Sequence, residues 1–161
     1  MIILKLIFHI FAFFSKFFYK LIYGKKIKIG KSVTWRRKMN IMISLEGSLS
    51  IGSNCFFNNF CSLNCNSNVT IGDNCIFGEG VKIYDHDHRF SDKNKLIKDQ
   101  GFSNGSVIIG KNCWIGSNVV ILKNSKIGEN CVIGAGCVIH GEIPDNTIVR
   151  NDSCLRFEDI I

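Results

Sequence analysis

Proline is nearly missing: Pro144 is the only one among 161 residues, although the chain has 15 Gly. Gly without Pro, and without a Gly-X-Y period, excludes a collagen-like structure. Eight Cys are present, but no Cys-x-x-Cys pair occurs, and the tightest spacing is Cys61 with Cys65. That argues against zinc ribbons and dithiol redox motifs. A long apolar run is also absent. Within the greasy N-terminal residues 1–23, the longest stretch without Lys is the ten residues from Leu6 to Ser15, against roughly 20 for a membrane span. No small-residue cleavage site follows the first apolar stretch, which Lys16 and Lys20 interrupt. A secretory signal is therefore not expected, and the thiols are expected free in a reducing cytoplasm.

Acid is missing from the first quarter. Residues 1–45 hold ten Lys and Arg and no Asp or Glu, whereas residues 46–161 hold ten basic and thirteen acidic residues. The net charge of +7 and the pI near 9.0 thus belong to the N-terminal segment. A uniformly basic nucleic-acid-binding domain is disfavoured by that split.

What is present at the N-terminus is greasy and basic. Residues 1–23, MIILKLIFHIFAFFSKFFYKLIY, contain six of the 13 Phe. At the helical step, Lys5, His9, Lys16 and Lys20 fall in a wedge roughly 60° wide, and all else but Ser15 is apolar. Three readings fit: a helix in the plane of a membrane surface, a helix packed on the protein's own oligomer, and a membrane span. The short apolar run weakens the last. The first is preferred, because Lys25, Lys26, Lys28, Lys31, Arg36, Arg37 and Lys38 would follow it onto anionic lipid. A solvated charged face is the plainer alternative for those residues.

Beyond residue 27 a six-residue period dominates. Ile109-Gly110, Ile115-Gly116, Ile121, Ile127-Gly128, Ile133-Gly134 and Ile139 keep it, as do Ile71-Gly72, Phe77-Gly78 and Ile83, and Leu45, Ile51-Gly52, Phe57 and Leu63. Two residues are inserted before Ile71 and about twenty before Ile109. This period suits neither a helix nor a hairpin meander. It predicts a stack of short parallel strands with the apolar residues inside and Gly supplying unusual backbone angles at the corners. Cys55, Cys75, Cys113, Cys131 and Cys137 each lie four residues after the core apolar residue. A recurring small side chain reads as packing rather than as reactive thiol. Pro144 is expected past the last repeat, where it interrupts no ladder.

At this point the chain resembles the hexapeptide-repeat acyltransferases, over roughly residues 27–150. The span VIIGKNCWIGSNVVILKNSKIGENCVIGAGCVIHGEIPDNTIV carries the likeness, which is strongest to the galactoside and maltose O-acetyltransferases and to polysaccharide O-acetyltransferases. The resemblance implies an all-β fold, a left-handed parallel β-helix. An N-terminal amphipathic α-helix over 1–26 would precede it, a loop around residues 84–106 would protrude from it, and 151–161 would form a C-terminal tail. It also implies a homotrimer with active sites between subunits and acetyl-CoA as co-substrate.

The insertion opens Tyr84-Asp85-His86-Asp87-His88-Arg89-Phe90, where the repeat breaks. Acetyl transfer to a hydroxyl needs a base near neutrality, and His suits it. Gapless alignment through GVKIY puts His88 on the family's catalytic His, with Asp85, or else Asp87, to orient it. His86 is the lesser candidate and is assigned with Arg89 to the acceptor. A solvated polar loop is the plain alternative. Metal is not expected: His86 and His88 would share one side, but His9 and His140 occupy no matching register for a third ligand.

The resemblance further assigns Trp114, Gly116 and Ala135 to the cofactor arm and the Ser117 N–H to the developing oxyanion. Coil packing alone also accounts for the small residues. The family commonly has Lys where Gly141 stands and basic residues near Leu155 and Glu158; Arg150 and Arg156 are the nearby substitutes for the cofactor phosphates. Asn58 and Asn66 fall on sugar-contacting positions, although Asn is equally at home in the corners. Residues 89–106, with Phe90 and Phe102, are expected to complete the acceptor site. The expected activity is O-acetylation of a sugar hydroxyl in a surface polysaccharide or its lipid-linked precursor, at the cytoplasmic membrane face. Antibiotic O-acetylation, amino-sugar N-acetylation and a non-catalytic glycan-binding scaffold are the alternatives.

Overall fold

The hexapeptide period builds a coil with three flat sides. The computed structural model describes residues 2–151, apart from the side chains of residues 2–7 and 9. Helix α1 (Ile2–Tyr23) leads through a short 3-10 turn into the coil. The first two turns are β1 (Ile27–Ile29), β2 (Thr34–Trp35), β3 (Asn40–Ile43), β4 (Ser48–Ile51), β5 (Phe56–Phe57) and β6 (Ser62–Cys65). The third is β7 (Asn68–Ile71), β8 (Ile76–Phe77) and β9 (Lys82–Tyr84), followed by a hairpin of β10 (His86–His88) and β11 (Phe102–Asn104). The coil resumes with β12 (Ser106–Ile109), β13 (Trp114–Ile115), β14 (Val120–Ile121), β15 (Ser125–Ile127), β16 (Val132–Ile133) and β17 (Val138–Ile139). It closes with β18 (Glu142–Ile143) and β19 (Ile148–Val149).

Strands from successive turns pair in parallel to form three sheets. Sheet A is β1-β4-β7-β12-β15-β18, sheet B is β2-β5-β8-β13-β16-β19, and sheet C is β3-β6-β9-β14-β17. The pairs Val107 with Ser125, Trp114 with Val132 and Val120 with Val138 each span eighteen residues, which is three hexapeptides per turn. Most periodic residues point inward: Ile51, Phe57, Leu63, Ile71, Phe77, Ile83, Ile109, Ile115, Ile121, Ile127 and Ile133 are buried, but Leu45 is 86% exposed, and Ile43 and Leu49 fill the core on either side of it. Phe57 and Phe77 stack face to face, with ring centroids 4.3 Å apart.

The corners differ from the expectation for glycine. Left-handed backbone angles do fall on Gly80, Gly136 and Gly141, but more often on Asn, at Asn54, Asn74, Asn112, Asn118, Asn124, Asn130 and Asn146, whose short amide tolerates that conformation. Gly72, Gly78, Gly110 and Gly116 do not adopt positive φ. They are needed because an added Cβ would stand 2.5–2.7 Å from backbone atoms of the next turn. The thiols do more than fill space. Cys55, Cys61, Cys75 and Cys113 reach the carbonyls of Gly72, Gly78, Gly110 and Gly128 at 3.1–3.2 Å, and Cys131 reaches that of Pro144. Burial pushes the Cys61 thiol up to about 11 and Cys65 to about 12, the latter aided by Asp85. Pro144 does not lie past the coil, as expected. It sits in the corner between β18 and β19, where its missing N–H costs no ladder bond because β18 ends its sheet.

Helix α1 packs on its own chain. Ala12 is buried, Lys16 Nζ donates to the Val33 carbonyl at 2.9 Å, and the Tyr19 and Tyr23 hydroxyls donate to the carbonyls of Met39 and Ile41. Trp35 Nε1 donates to Ser15 Oγ at 2.9 Å. Burial and the neighbouring Lys20 lower the pKa of Lys16. Among the described residues, no helix is long and apolar enough to cross a membrane, which removes the span reading.

Candidate active site

The break in the repeat sits at the corner between sheets C and A, after β9. There the chain leaves the coil as the β10–β11 hairpin, with His86 opposite Asn104 and His88 opposite Phe102. Phe102 contacts both imidazoles, at centroid distances of 5.1 Å from His86 and 4.6 Å from His88. The two rings therefore lie on one side of the strand, as the two-residue period requires. His88 is exposed, while His86 is largely covered.

Asp85 is fully buried at the root of this hairpin. The N–H groups of Asn66 and Ser67 donate to its two oxygens at 2.8 Å each, and His86 Nδ1 lies 2.9 Å from Oδ1. The carboxylate thus orients His86, and the expected pairing with His88 is not made. The reason is reach: Asp85 turns inward to serve the corner of the preceding turn, on the other side of the strand from its exposed tip. Asp87 does not hold His88 either. It points to the opposite side and pairs with Lys123 Nζ at 3.0 Å; that ammonium also donates to Ser103 Oγ at 2.8 Å.

A cleft of about 460 Å³ opens here, lined by Asp87, His88, Arg89, Phe90, Ser103 and Lys123 among others. Arg89 is exposed, and its N–H donates to the Gly101 carbonyl. Asn66 lies in the same corner, one turn earlier. Lys123 and Ser103 were not singled out by sequence reasoning. The position of Lys123 in the next turn's corner, directly above the hairpin root, was the signal that could have found it.

The remaining expected residues occupy other positions. Gly116 and Ser117 form the corner between sheets B and C, with Ala135 one turn on and Asn58 two turns back. Gly116 N–H and Asn118 N–H donate to the carbonyls of Ile133 and Glu79, and Ser117 Oγ accepts from Glu79 N–H. Among the described residues, the Ser117 N–H takes no part in this ladder. Asn58 is occupied by turn chemistry: its Oδ1 accepts from Asn59 N–H and Arg36. Trp114 stands on the outer face of sheet B, 56% exposed, and Arg150 is exposed after β19. Arg156 lies outside the described residues. One chain therefore splits its expected site residues between two corners, with the face of sheet C between them.

Residues 106–141 match the bacterial transferase hexapeptide (six repeats) family. A probable acetyltransferase of Mycobacterium tuberculosis is 36% identical over 123 residues, covering 76% of this chain and 41% of its own. The crystal structure of a maltose O-acetyltransferase from Clostridium difficile superposes with a TM-score of 0.66 at 32% identity, covering 80% of this chain and 67% of that one. The chain belongs to the hexapeptide-repeat acyltransferases. Its coil is accordingly the left-handed parallel β-helix of that family. A galactoside acetyltransferase solved in complex with coenzyme A is also similar, with a TM-score of 0.58 and 30% identity over 71% of this chain and 60% of that one. The chain spans about half the length of the curated hexapeptide-repeat relatives it matches.

Proposed function

We propose that this protein transfers acetyl groups from acetyl-CoA to a sugar hydroxyl. The observation that carries the reading is an exposed His88 at the lip of a polar cleft, on a coil of this family. His88 removes the proton of the acceptor hydroxyl. The oxygen attacks the thioester carbon, and the carbon–sulfur bond breaks. The departing thiolate takes the proton back from the imidazolium, so atoms and charge balance without a covalent enzyme intermediate. The Ser117 N–H faces the oxygen that gains negative charge, an interaction worth about 2.7–4 kcal/mol in the transition state.

Trp114, Gly116 and Ala135 supply the path for the cofactor arm. Trp114 is half exposed beside a corner kept free of bulky side chains, a form that suits a narrow thioether-and-amide chain. Arg150 and Arg156 meet the phosphates. Asn58, Asn66, His86 and Arg89 read the sugar. The division of these residues between two corners supports a homotrimer in which one copy's His88 meets a neighbour's Ser117.

The acceptor we favour is a surface polysaccharide or its lipid-linked precursor, with the chain peripheral at the inner face of the cytoplasmic membrane. The acid-free, basic N-terminus supports that location. Purified protein given acetyl-CoA and a panel of glycans should release free CoA thiol with sugar acceptors. Release only with an amino sugar or an aminoglycoside would move the reading to those substrates, and failure to bind acetyl-CoA would leave a scaffold.

A further inference from the structure

Helix α1 is mounted with its two faces the reverse of a soluble helix. The side that packs on the coil, Ala12, Ser15, Lys16, Tyr19 and Tyr23, carries the polar tips. These tips serve carbonyls at the open end of the first turn. There, the N–H groups of Gly30, Thr34, Arg36 and Asn40 already point to the second turn, and among the described residues no earlier strand uses the carbonyls on the other side. The helix is thus an end cap, and its far side looks away along the coil axis. That far side is apolar. Phe13, Phe14, Phe17, Phe18 and Leu21 are 59–72% exposed. An apolar face of this breadth on a solvated helix marks a contact surface.

Its surroundings select the partner. Lys20, Lys25, Lys28, Lys31, Arg36, Arg37 and Lys38 are all exposed around the helix, and no acid occurs before Glu46. A groove of about 380 Å³ runs between helix and coil, with Phe8, Phe11, Trp35 and Met39 along it and Arg36, Arg37 and Lys38 at its lip. Arg36 and Arg37 lie over the Phe8 ring at 5.7 and 6.0 Å.

We propose that the outward face of α1 docks on an anionic lipid bilayer, with the helix in the plane of the surface and the basic rim at the head groups. A second copy is the poorer occupant, because apposing two such faces would bring two acid-free basic rims together. Lipid phosphates neutralise the same rim. The docking deepens the proposed location and is independent of the acyl-transfer chemistry. It sets the coil axis upright on the membrane. His88 then stands roughly 20 Å above the surface, from one helix diameter and two coil steps of about 4.8 Å. That height suits an acceptor sugar carried on a lipid.

The test is co-sedimentation of the full chain with vesicles of phosphatidylcholine alone or of equimolar phosphatidylglycerol and phosphatidylcholine. The chain is expected to pellet with the anionic vesicles and to be released by salt. A Phe14→Ser, Phe17→Ser, Leu21→Ser variant should partition at least about tenfold less, and Arg37→Glu with Lys38→Glu should do the same at unchanged oligomeric state. A Phe17→Trp variant, which leaves the face apolar, should gain fluorescence that brominated lipid in anionic vesicles quenches. The proposal is overturned if wild type stays in the supernatant with anionic vesicles, or if the added Trp is not quenched. It also fails if the triple Ser variant dissociates from other copies while binding lipid as wild type does, since the face would then belong to a second copy.

Discussion

Lys123 Nζ meets Asp87 Oδ2 at 3.0 Å, tying the loop that interrupts the coil to the turn above it. The pair is partly solvated, so its net worth is about 0–1 kcal/mol. Its greater effect is on the loop, since the same ammonium also holds Ser103. Lys123→Met should leave the unfolding midpoint almost unchanged. It should, however, speed proteolytic nicking within residues 89–100, measured by mass spectrometry of timed digests.

The two histidines should separate by readout. His88→Ala should lower kcat by about 10²–10⁴ at unchanged thermal stability, since the side chain is exposed and rests against Phe102. His86→Ala should cost stability and affect KM more than kcat, because it leaves the Asp85 carboxylate without its side-chain partner. The reverse pattern would move the base to the Asp85–His86 pair.

Asp85→Asn should destabilise the fold by about 2–4 kcal/mol in denaturant titrations. The amide can accept from only one of the two N–H groups of Asn66 and Ser67, and it turns its own N–H₂ toward the other.

Two glycines with similar crowding but different corners make a matched pair. A Cβ at Gly78 would lie 2.5 Å from Ser117 N, and one at Gly72 would lie 2.7 Å from the Gly110 carbonyl carbon. Both Ala variants should lose about 1–3 kcal/mol of stability through overpacking. Gly78→Ala should lose far more transfer activity, because the displaced atom is the proposed oxyanion donor.

Cys61 and Cys65 should be inert in the native state. Cys61 and Cys65, raised to about 11 and 12, remain protonated at pH 8, and both are buried. Alkylation of these two thiols by iodoacetamide at that pH should therefore follow unfolding, and peptide mapping across a denaturant series would show it.

The coil was legible because one requirement repeats every six residues: Ile, Leu or Phe inside, and Gly where the next backbone comes close. The insertion was legible as a break in that count. What the period could not convey is direction across a corner. Asp85 precedes His86 and His88 in an unbroken polar run, and only the inward turn of its side chain toward Asn66 and Ser67 decides which imidazole it holds. Lys123 was hidden for the same reason, since its partner lies a full turn and a loop away in sequence. The helix wedge of lysines was visible, but residue spacing does not say which side of a helix meets the coil. The polar tips of Ser15, Lys16, Tyr19 and Tyr23 settle that by bonding to the first turn.

The most direct test of the central claim is mass spectrometry of a glycan acceptor incubated with acetyl-CoA and either wild type or His88→Ala. The account predicts a gain of one acetyl group with wild type, removed by mild alkali as an ester should be, and almost none with the variant. An alkali-stable product, or equal acetylation by both proteins, would contradict it.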